Sequence, residues 1–391
     1  MPRVFPFEGL VYDPAVVGPL ARVTAPPYDV ISEARRRASL AEPYSIVRVD
    51  LAVEAGVGTG DGYRAAGDLL RRWVHDRALV PTSTAFHAYE MSGTSQGVPT
   101  RVRGLLCAMD LEAWGRGVLP HERTLPGPLD DRLRLLRATR THLSAVYGTI
   151  AGPCDELALL LGRVSGTTPD AEVVDEQEIR HRRWTLPADL PIAAWLAEEP
   201  LLVADGHHRY TTALAYRDEM RAVHRDGPWD RMLTLIVDAG TEHLPVRPFH
   251  RLQLAGTPPS VGGRRVDSLR DALAAVSDDE PTVCVVTRET GGVAFTMVEL
   301  AGEAPAVRAL HAEILDDLVP ADGLRYTPDA EDAVDAVRAA RASSAYLLPA
   351  TTPDRIRKVV ERGERLPQKS TYFWPKPRTG MILMPLEAGG P

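Results

Sequence analysis

Leu201-Leu202-Val203-Ala204-Asp205-Gly206-His207-His208-Arg209-Tyr210-Thr211-Thr212-Ala213-Leu214 contains a change of hydrophobic period. The apolar run at 201–204 reads as a short buried strand. Asp205-Gly206 stops it, and Tyr210, Ala213 and Leu214 then keep the spacing of an amphipathic helix. Glycine at such a junction lets the backbone turn sharply and lets a ligand approach closely. The amides of a first helical turn have no carbonyl partner inside the helix. With His207, His208 and Arg209 beside them they make a socket suited to phosphate. Arg209 supplies a bidentate clamp and His208 a second donor. Asp205, at the strand end, is placed to bind Mg²⁺ or to orient a nucleophile. The bland alternative makes Asp205 a helix cap with solvated histidines. A metal-ligand role for His207 and His208 is weaker, because neighbouring residues point apart on regular structure.

The rest of the chain bounds what that corner serves. At 391 residues it is long enough for one large or two ordinary domains, each with a core. Apolar content of 44% and charged content of 25% are those of a soluble globular protein. A net charge of −8 argues against a nucleic-acid partner while leaving room for a local basic pocket. Cys107, Cys154 and Cys284 lack CxxC spacing and suit buried thiols in a reducing cytoplasm. The N-terminus has no secretory apolar region and no segment has the length of a membrane span, so the expected location is cytoplasmic. Arginine is abundant and lysine scarce, as in a compositionally biased genome.

Period changes place the main elements. Helices are expected at 61–76 and 130–140, the latter with Leu133, Leu135 and Leu136 inward and its arginines outward. Strands are expected at 84–91, 101–111, 144–150 and 232–237. Gly256-Thr257-Pro258-Pro259-Ser260 marks a boundary, giving an N-terminal α/β region over 1–255 and a C-terminal α+β region over 256–391. In the second region strands are expected at 282–287 and 292–299, a helix at 306–318, and a helix capped by Asp329. A strand at 344–348, a helix at 353–363 and a last strand at 379–385 complete it.

Three further clusters carry candidate chemistry. Pro26-Pro27 stiffens the approach to Tyr28 and Asp29, as suits an aromatic that orients substrate and a catalytic carboxylate; a plain surface turn explains them equally well. Pro120-His121-Glu122-Arg123-Thr124 offers a general base or a metal ligand, or a solvated loop. The tail joins Lys369, Ser370 and Thr371 to Tyr372, Phe373, Trp374 and Lys376. That mixture suits a held phosphate and a stacked base, or the docking of the tail onto a core. No GxxxxGK[ST], GxGxxG or GxSxG motif is present.

Four signatures carry a resemblance: APPYDVIS at 25–32, HERT at 121–124 with DR at 131–132, ADGHHRYTTAL at 204–214, and LPQKSTYFWPKPRTG at 366–380. In that order they resemble the bacterial and archaeal family called domain of unknown function 1015. ADGHHRY alone is also similar to the ParB and sulfiredoxin-like group, whose G-x-H-R element opens a helix and binds nucleotide phosphate. The resemblance implies an α+β (mixed α/β) fold with a ParB/sulfiredoxin-like nucleotide-binding core and an added C-terminal α+β part whose tail returns to the active-site cleft. It also implies a kinase that moves a phosphoryl group from ATP, with Mg²⁺, to a small hydroxyl compound, free L-serine being the favoured acceptor. Gly206, His207, His208, Arg209, Tyr210, Lys369, Ser370 and Thr371 would then bind nucleotide. Asp29, Glu122, Asp205 and His208 would be catalytic, Tyr28, His121 and Lys376 would bind the acceptor, and Asp205 would hold the metal. The alternatives are a ParB-like nucleotide-responsive regulator without turnover and a metal-dependent hydrolase built on His121, Glu122, His207 and His208. The stretch Leu244–Arg251 departs from the tighter turn of relatives, which puts the acceptor's identity in question more than the nucleotide's.

Overall fold

The computed structural model describes residues 2–52, 62–95, 97–122, 126–196, 199–258, 260–301, 305–315, 319 and 323–387. The fold is mixed α/β. The chain folds into two units, each compact in itself: Met1–Pro120 with Thr124–Leu244 and Pro375–Pro391, and His121–Arg123 with Pro245–Trp374. This division differs from the expected one at 255/256. The strands at Val246–Pro248 and His250–Gln253 pair inside the second unit, and the chain leaves that unit again at Trp374.

Among the described residues the main sheet of the first unit has nine strands: β1 (Val4–Phe5), β2 (Phe86–Ser95), β3 (Val98–Asp110), β4 (Val118–Leu119), β5 (Val146–Ile150), β6 (Ala171–Val174), β7 (Arg180–Leu186), β8 (Leu201–Asp205) and β9 (Arg231–Asp238). Their order is β4-β8-β5-β9-β3-β2-β7-β6, with β1 on the far end of β3. The expected antiparallel pair is β2–β3, with His87 opposite Leu106. Most of β2, β3 and β8 is buried, because side chains on both sheet faces are covered. One face packs Phe86, Leu105, Met109, Trp184, Val203 and Tyr210.

A second cluster gathers Leu10, Ile46, Leu70, Trp73, Leu135 and Leu143 around helices α1 (Gly62–His75) and α2 (Pro126–Thr139). Leu135 and Leu136 are buried as expected. Arg132 is the correction: it is buried too, because its guanidinium donates to Asp50. The unit also carries helix α3 (Asp155–Ser165) and the 17-residue helix α4 (His207–Val223).

The second unit carries strands β10 (Val246–Pro248), β11 (His250–Gln253), β12 (Arg264–Val266), β13 (Thr282–Glu289), β14 (Gly292–Glu299), β15 (Leu324–Thr327), β16 (Ser344–Leu347) and β17 (Thr371–Phe373). Six of them form one antiparallel sheet in the order β12-β14-β13-β16-β11-β15, and β10 pairs with β17. Helices α5 (Leu269–Ala275) and α6 (Ala330–Arg338) cover it, with Ala333, Val334 and Val337 in its core. Asp329 caps α6 by accepting the amides of Glu331 and Asp332. The helix expected at 306–318 is α-helical over Ala306–Leu310 and widens to a π turn over His311–Leu315; 316–318 lie outside the described residues.

The strand expected at 379–385 is reduced to Met384–Pro385. Its backbone bonds go to several partners rather than one neighbour: Thr379 to Ala25, Leu383 to Leu10, and Met384 opposite His142.

Candidate active site

The strand, corner and helix expected over 201–214 are all present. β8 ends at Asp205, Gly206 adopts φ +98°, and α4 opens at His207. A left-handed φ favours glycine. A Cβ at Gly206 would also sit 3.0 Å from the Arg209 guanidinium folded back over it. The first bond within the helix runs from the Tyr210 amide to the Gly206 carbonyl at 2.9 Å. The amides of the first turn therefore precede the helical ladder, as a phosphate socket requires.

Around this corner the side chains form a line of alternating charge. Arg209 donates through Nη2 to Asp205 Oδ2 at 2.5 Å. Through Nη1 it donates to Ser144 Oγ at 2.9 Å and to the Ala145 carbonyl. The guanidinium expected to clamp phosphate thus ties the end of β8 to the approach of β5. Lys376 donates from Nζ to Asp205 Oδ1 and lies 3.6 Å from Asp29 Oδ2. Its side chain is only 5% exposed, so the ammonium is committed between two carboxylates.

Tyr28 lies beside this line. The Arg132 guanidinium stacks over its ring at 4.3 Å and also donates to Asp50 Oδ1 at 2.7 Å and Asp131 Oδ2 at 2.7 Å. Burial, then the charge of Asp29, drives the Tyr28 hydroxyl far above its ordinary pKa, so it stays protonated and a donor. Burial likewise raises the Asp50 carboxyl, against the pull of Arg132 and Arg209. A cavity of about 50 Å³ is lined by Asp50, Arg132, Ser144, Arg209 and Thr212, room for a few heavy atoms and too little for a triphosphate. Another groove of this unit, about 1040 Å³, is lined by none of the expected site residues.

Two of the expected nucleotide contacts, Tyr210 and His207, are buried. Tyr210 is fully buried, and its hydroxyl accepts the Glu112 amide at 3.0 Å and donates to the Glu112 carbonyl at 2.8 Å. His207 is buried with its ring stacked on Trp114. His208 is half-buried on the first turn of α4.

The second unit redefines another expected group. Glu122 Oε1 accepts the amides of Ser370 and Thr371, each at 2.9 Å, and the Thr371 hydroxyl at 3.0 Å; Oε2 accepts the Lys369 amide at 3.0 Å. Lys369 adopts φ +52°, which turns successive amides toward one point. The Lys-Ser-Thr loop does cradle an anion, and that anion is the protein's own carboxylate. In this state the loop amides and the Glu122 carboxylate are bonded to one another. His121 is fully buried, with Nε2 2.6 Å from Thr371 Oγ1 and 3.5 Å from Glu122 Oε1. Arg123 and Thr124 of the same motif lie outside the described residues.

The residues gathered here divide by unit. The first holds Tyr28, Asp29, Asp205–Arg209 and Lys376; the second holds His121, Glu122 and Lys369–Thr371. No local pattern in the sequence signals Asp50 or Ser144. Arg132 does stand inside a quoted motif, but its place on a helix predicts a solvent-facing side chain. Among the described residues no group of three or more His, Cys, Asp or Glu side chains is placed to hold a metal. Among them, too, no helix is long and apolar enough to cross a membrane.

The site therefore belongs to a mixed α/β protein with a glycine corner flanked by two carboxylates and a buried lysine. The chain is a member of the family described as "Protein of unknown function (DUF1015)", whose model matches residues 4–291. Among solved structures it is similar to a substituted free serine kinase in complex with AMP, at 13% identity over 69% of this chain and 87% of that chain, TM-score 0.38. A conserved hypothetical protein from Pyrococcus furiosus matches at 14% identity over 69% of this chain and 90% of that one, TM-score 0.36. SbnI from Staphylococcus aureus, with a C-terminal truncation, matches at 12% identity over 68% of this chain and 82% of that one, TM-score 0.37. No curated protein matches the sequence.

Proposed function

We propose that this protein is a small-molecule kinase that transfers a phosphoryl group from a nucleotide, ATP in the first instance, to a hydroxyl acceptor, with free L-serine the first candidate. The observation that carries this reading is Asp205: a carboxylate at a strand end, held between Lys376 and Arg209, directly before a left-handed glycine that opens a long helix. Phosphoryl transfer asks chiefly for positioning and for charge placed around the moving group. The first-turn amides of α4 and His208 would hold the nucleotide phosphates. Lys376 would neutralise charge on the transferred group, and Asp29 would accept the proton of the attacking hydroxyl. Tyr28, a fixed donor, would orient the acceptor. Arg209 would act by fixing Asp205 rather than by touching phosphate. A ParB/sulfiredoxin-like core belongs to the same proposal.

Asp29 and Asp205 offer hard oxygen donors, and Mg²⁺ is commonly held by one or two carboxylates with phosphate and water completing its shell. The donor set fits: these carboxylates would hold the ion, which would supply positive charge to offset that of the phosphates.

The test is a phosphorus NMR assay of the full chain with ATP, Mg²⁺ and a panel of amino acids and polyols. A new phosphomonoester resonance, absent in Asp205→Asn, is the expected result. Nucleotide binding with no product from any acceptor would turn the reading toward a regulator without turnover. No nucleotide binding would end both.

A further inference from the structure

Lysine is rare in this chain: of 45 basic residues only Lys358, Lys369 and Lys376 are lysines. Where arginine serves almost everywhere else, a buried lysine between two carboxylates points to a need for a compact ammonium. Such a group is useful only if its stem is aimed. Lys376 sits on a strap between Pro375 and Pro377, and a network two residues further along holds that strap.

Arg378 is 4% exposed. Its amide donates to the Tyr89 hydroxyl at 3.2 Å. Its Nε donates to Thr24 Oγ1 at 3.0 Å and its Nη2 to the Thr24 carbonyl at 2.8 Å. Nη1 lies 3.4 Å from Glu176 Oε2 and 3.7 Å from Asp175 Oδ2. Tyr89 is itself fixed: its hydroxyl lies 3.0 Å from His181 Nδ1, and His181 Nε2 lies 3.2 Å from Asp175 Oδ2. With Nε2–H donating to Asp175, Nδ1 accepts the Tyr89 proton, which leaves the tyrosine oxygen to accept the Arg378 amide. The next residue completes the fastening. Thr379 and Ala25 exchange both backbone bonds, at 2.8 and 3.1 Å. Arg378 thus grips the segment that leads from Thr24 to Asp29 with its side chain, and the strap that carries Lys376 with its backbone.

We propose that Arg378 is a positioning residue: it locks the Thr24–Asp29 segment and the Lys376 strap together, so that the Lys376 ammonium lies between Asp29 and Asp205. The assignment of purpose rests on the phosphoryl-transfer reading, but the positioning itself can be tested without any turnover. Scarcity of lysine makes the test clean. Brief acetylation of the native full chain, read by peptide mass spectrometry, reports three side-chain amines. Exposed Lys358 and half-buried Lys369 serve as internal references for Lys376.

In Arg378→Gln, acetylation of Lys376 is expected to rise about tenfold, the size expected from losing hydrogen bonds made by a charged group, with Lys358 and Lys369 unchanged. Tyr89→Phe keeps the Arg378 side chain and removes the acceptor of its amide together with the hydroxyl bond to His181, and a rise of about threefold at Lys376 alone is expected. Unchanged protection of Lys376 in both variants overturns the proposal. If Arg378→Gln raises all three lysines together, the chain has loosened globally and Tyr89→Phe decides: no selective rise there also overturns it. If wild-type protein shows no phosphoryl transfer while Lys376 responds selectively, the kinase reading fails and the positioning role stands. Where transfer is present, Arg378→Gln should lower kcat about tenfold and leave the nucleotide KM within about twofold, a split that mere destabilisation does not produce.

Discussion

The two units treat the same chemical device in opposite ways. At the Lys369–Thr371 loop, backbone amides converge on a carboxylate supplied by the chain itself, and Glu122 fills the cradle with four hydrogen bonds. At the Gly206 corner the amides belong to the opening turn of a 17-residue helix, and the nearby carboxylates Asp205 and Asp29 flank the Lys376 ammonium. A cradle satisfied internally is part of the architecture. A corner whose acids are balanced by a buried lysine keeps acid, base and amide donors side by side, which is what group transfer needs. An anion-binding motif in a sequence therefore says little until its occupant is known.

Asp205→Asn should break the first half of this contrast most strongly. It keeps the shape and removes the charge between Lys376 and Arg209, so phosphoryl transfer should fall about 10³-fold in a coupled ADP-release assay. A loss below about fivefold would remove Asp205 from the chemistry.

Acid should separate the units next. Burial pushes His87 down to about 3 and His142 down to about 4 in the first unit, and His250 down to about 4 in the second. Above pH 6.5 these side chains are neutral folded or unfolded. Below it the unfolded chain gains protons that the folded chain refuses, so stability falls as pH drops from about 6.5 toward about 4. At pH 5 the loss is about 2 kcal/mol for each such histidine. Amide hydrogen exchange should show β2 and β9 losing protection more steeply than β13 and β16. An equal loss in both units would contradict the assignment.

Glu122→Ala tests the filled cradle. Stability in a urea titration should fall by about 3 kcal/mol, because several amides lose a charged acceptor at once. Nucleotide affinity of the folded variant should stay within about twofold, and a larger loss would return Glu122 to the ligand site.

The smallest effect is expected from Tyr210→Phe. Its hydroxyl serves only the Glu112 backbone among the bonds described, so stability should drop by about 1 kcal/mol with nucleotide affinity unchanged.

Much of the fold is legible in the residues because it rests on periodicity. The change of period across 201–214 locates β8, the corner and α4 almost to the residue, and Asp329 announces its helix by its capping chemistry. The departures share a cause, namely partners distant in sequence. Arg132 reads as a solvent-facing helix residue until Asp50, 82 positions earlier, is brought beneath it. The last strand reads as one strand because Met381–Met384 is a continuous apolar run, yet its backbone is shared among several segments. Tyr210 and Glu122 stand out in the sequence as unusual, but one supports a loop and the other fills one. Lys376 and Asp205 lie 171 residues apart, and no local pattern announces that they meet.

The crossing of the chain between units has a practical consequence for anyone dissecting it. The second unit takes three residues, His121–Arg123, from the middle of the first unit's sequence. A fragment cut cleanly at Pro245 and Trp374 would therefore leave behind the carboxylate that its Lys-Ser-Thr loop is folded around. Such a piece would need a substitute anion, acetate for instance, before that loop could close.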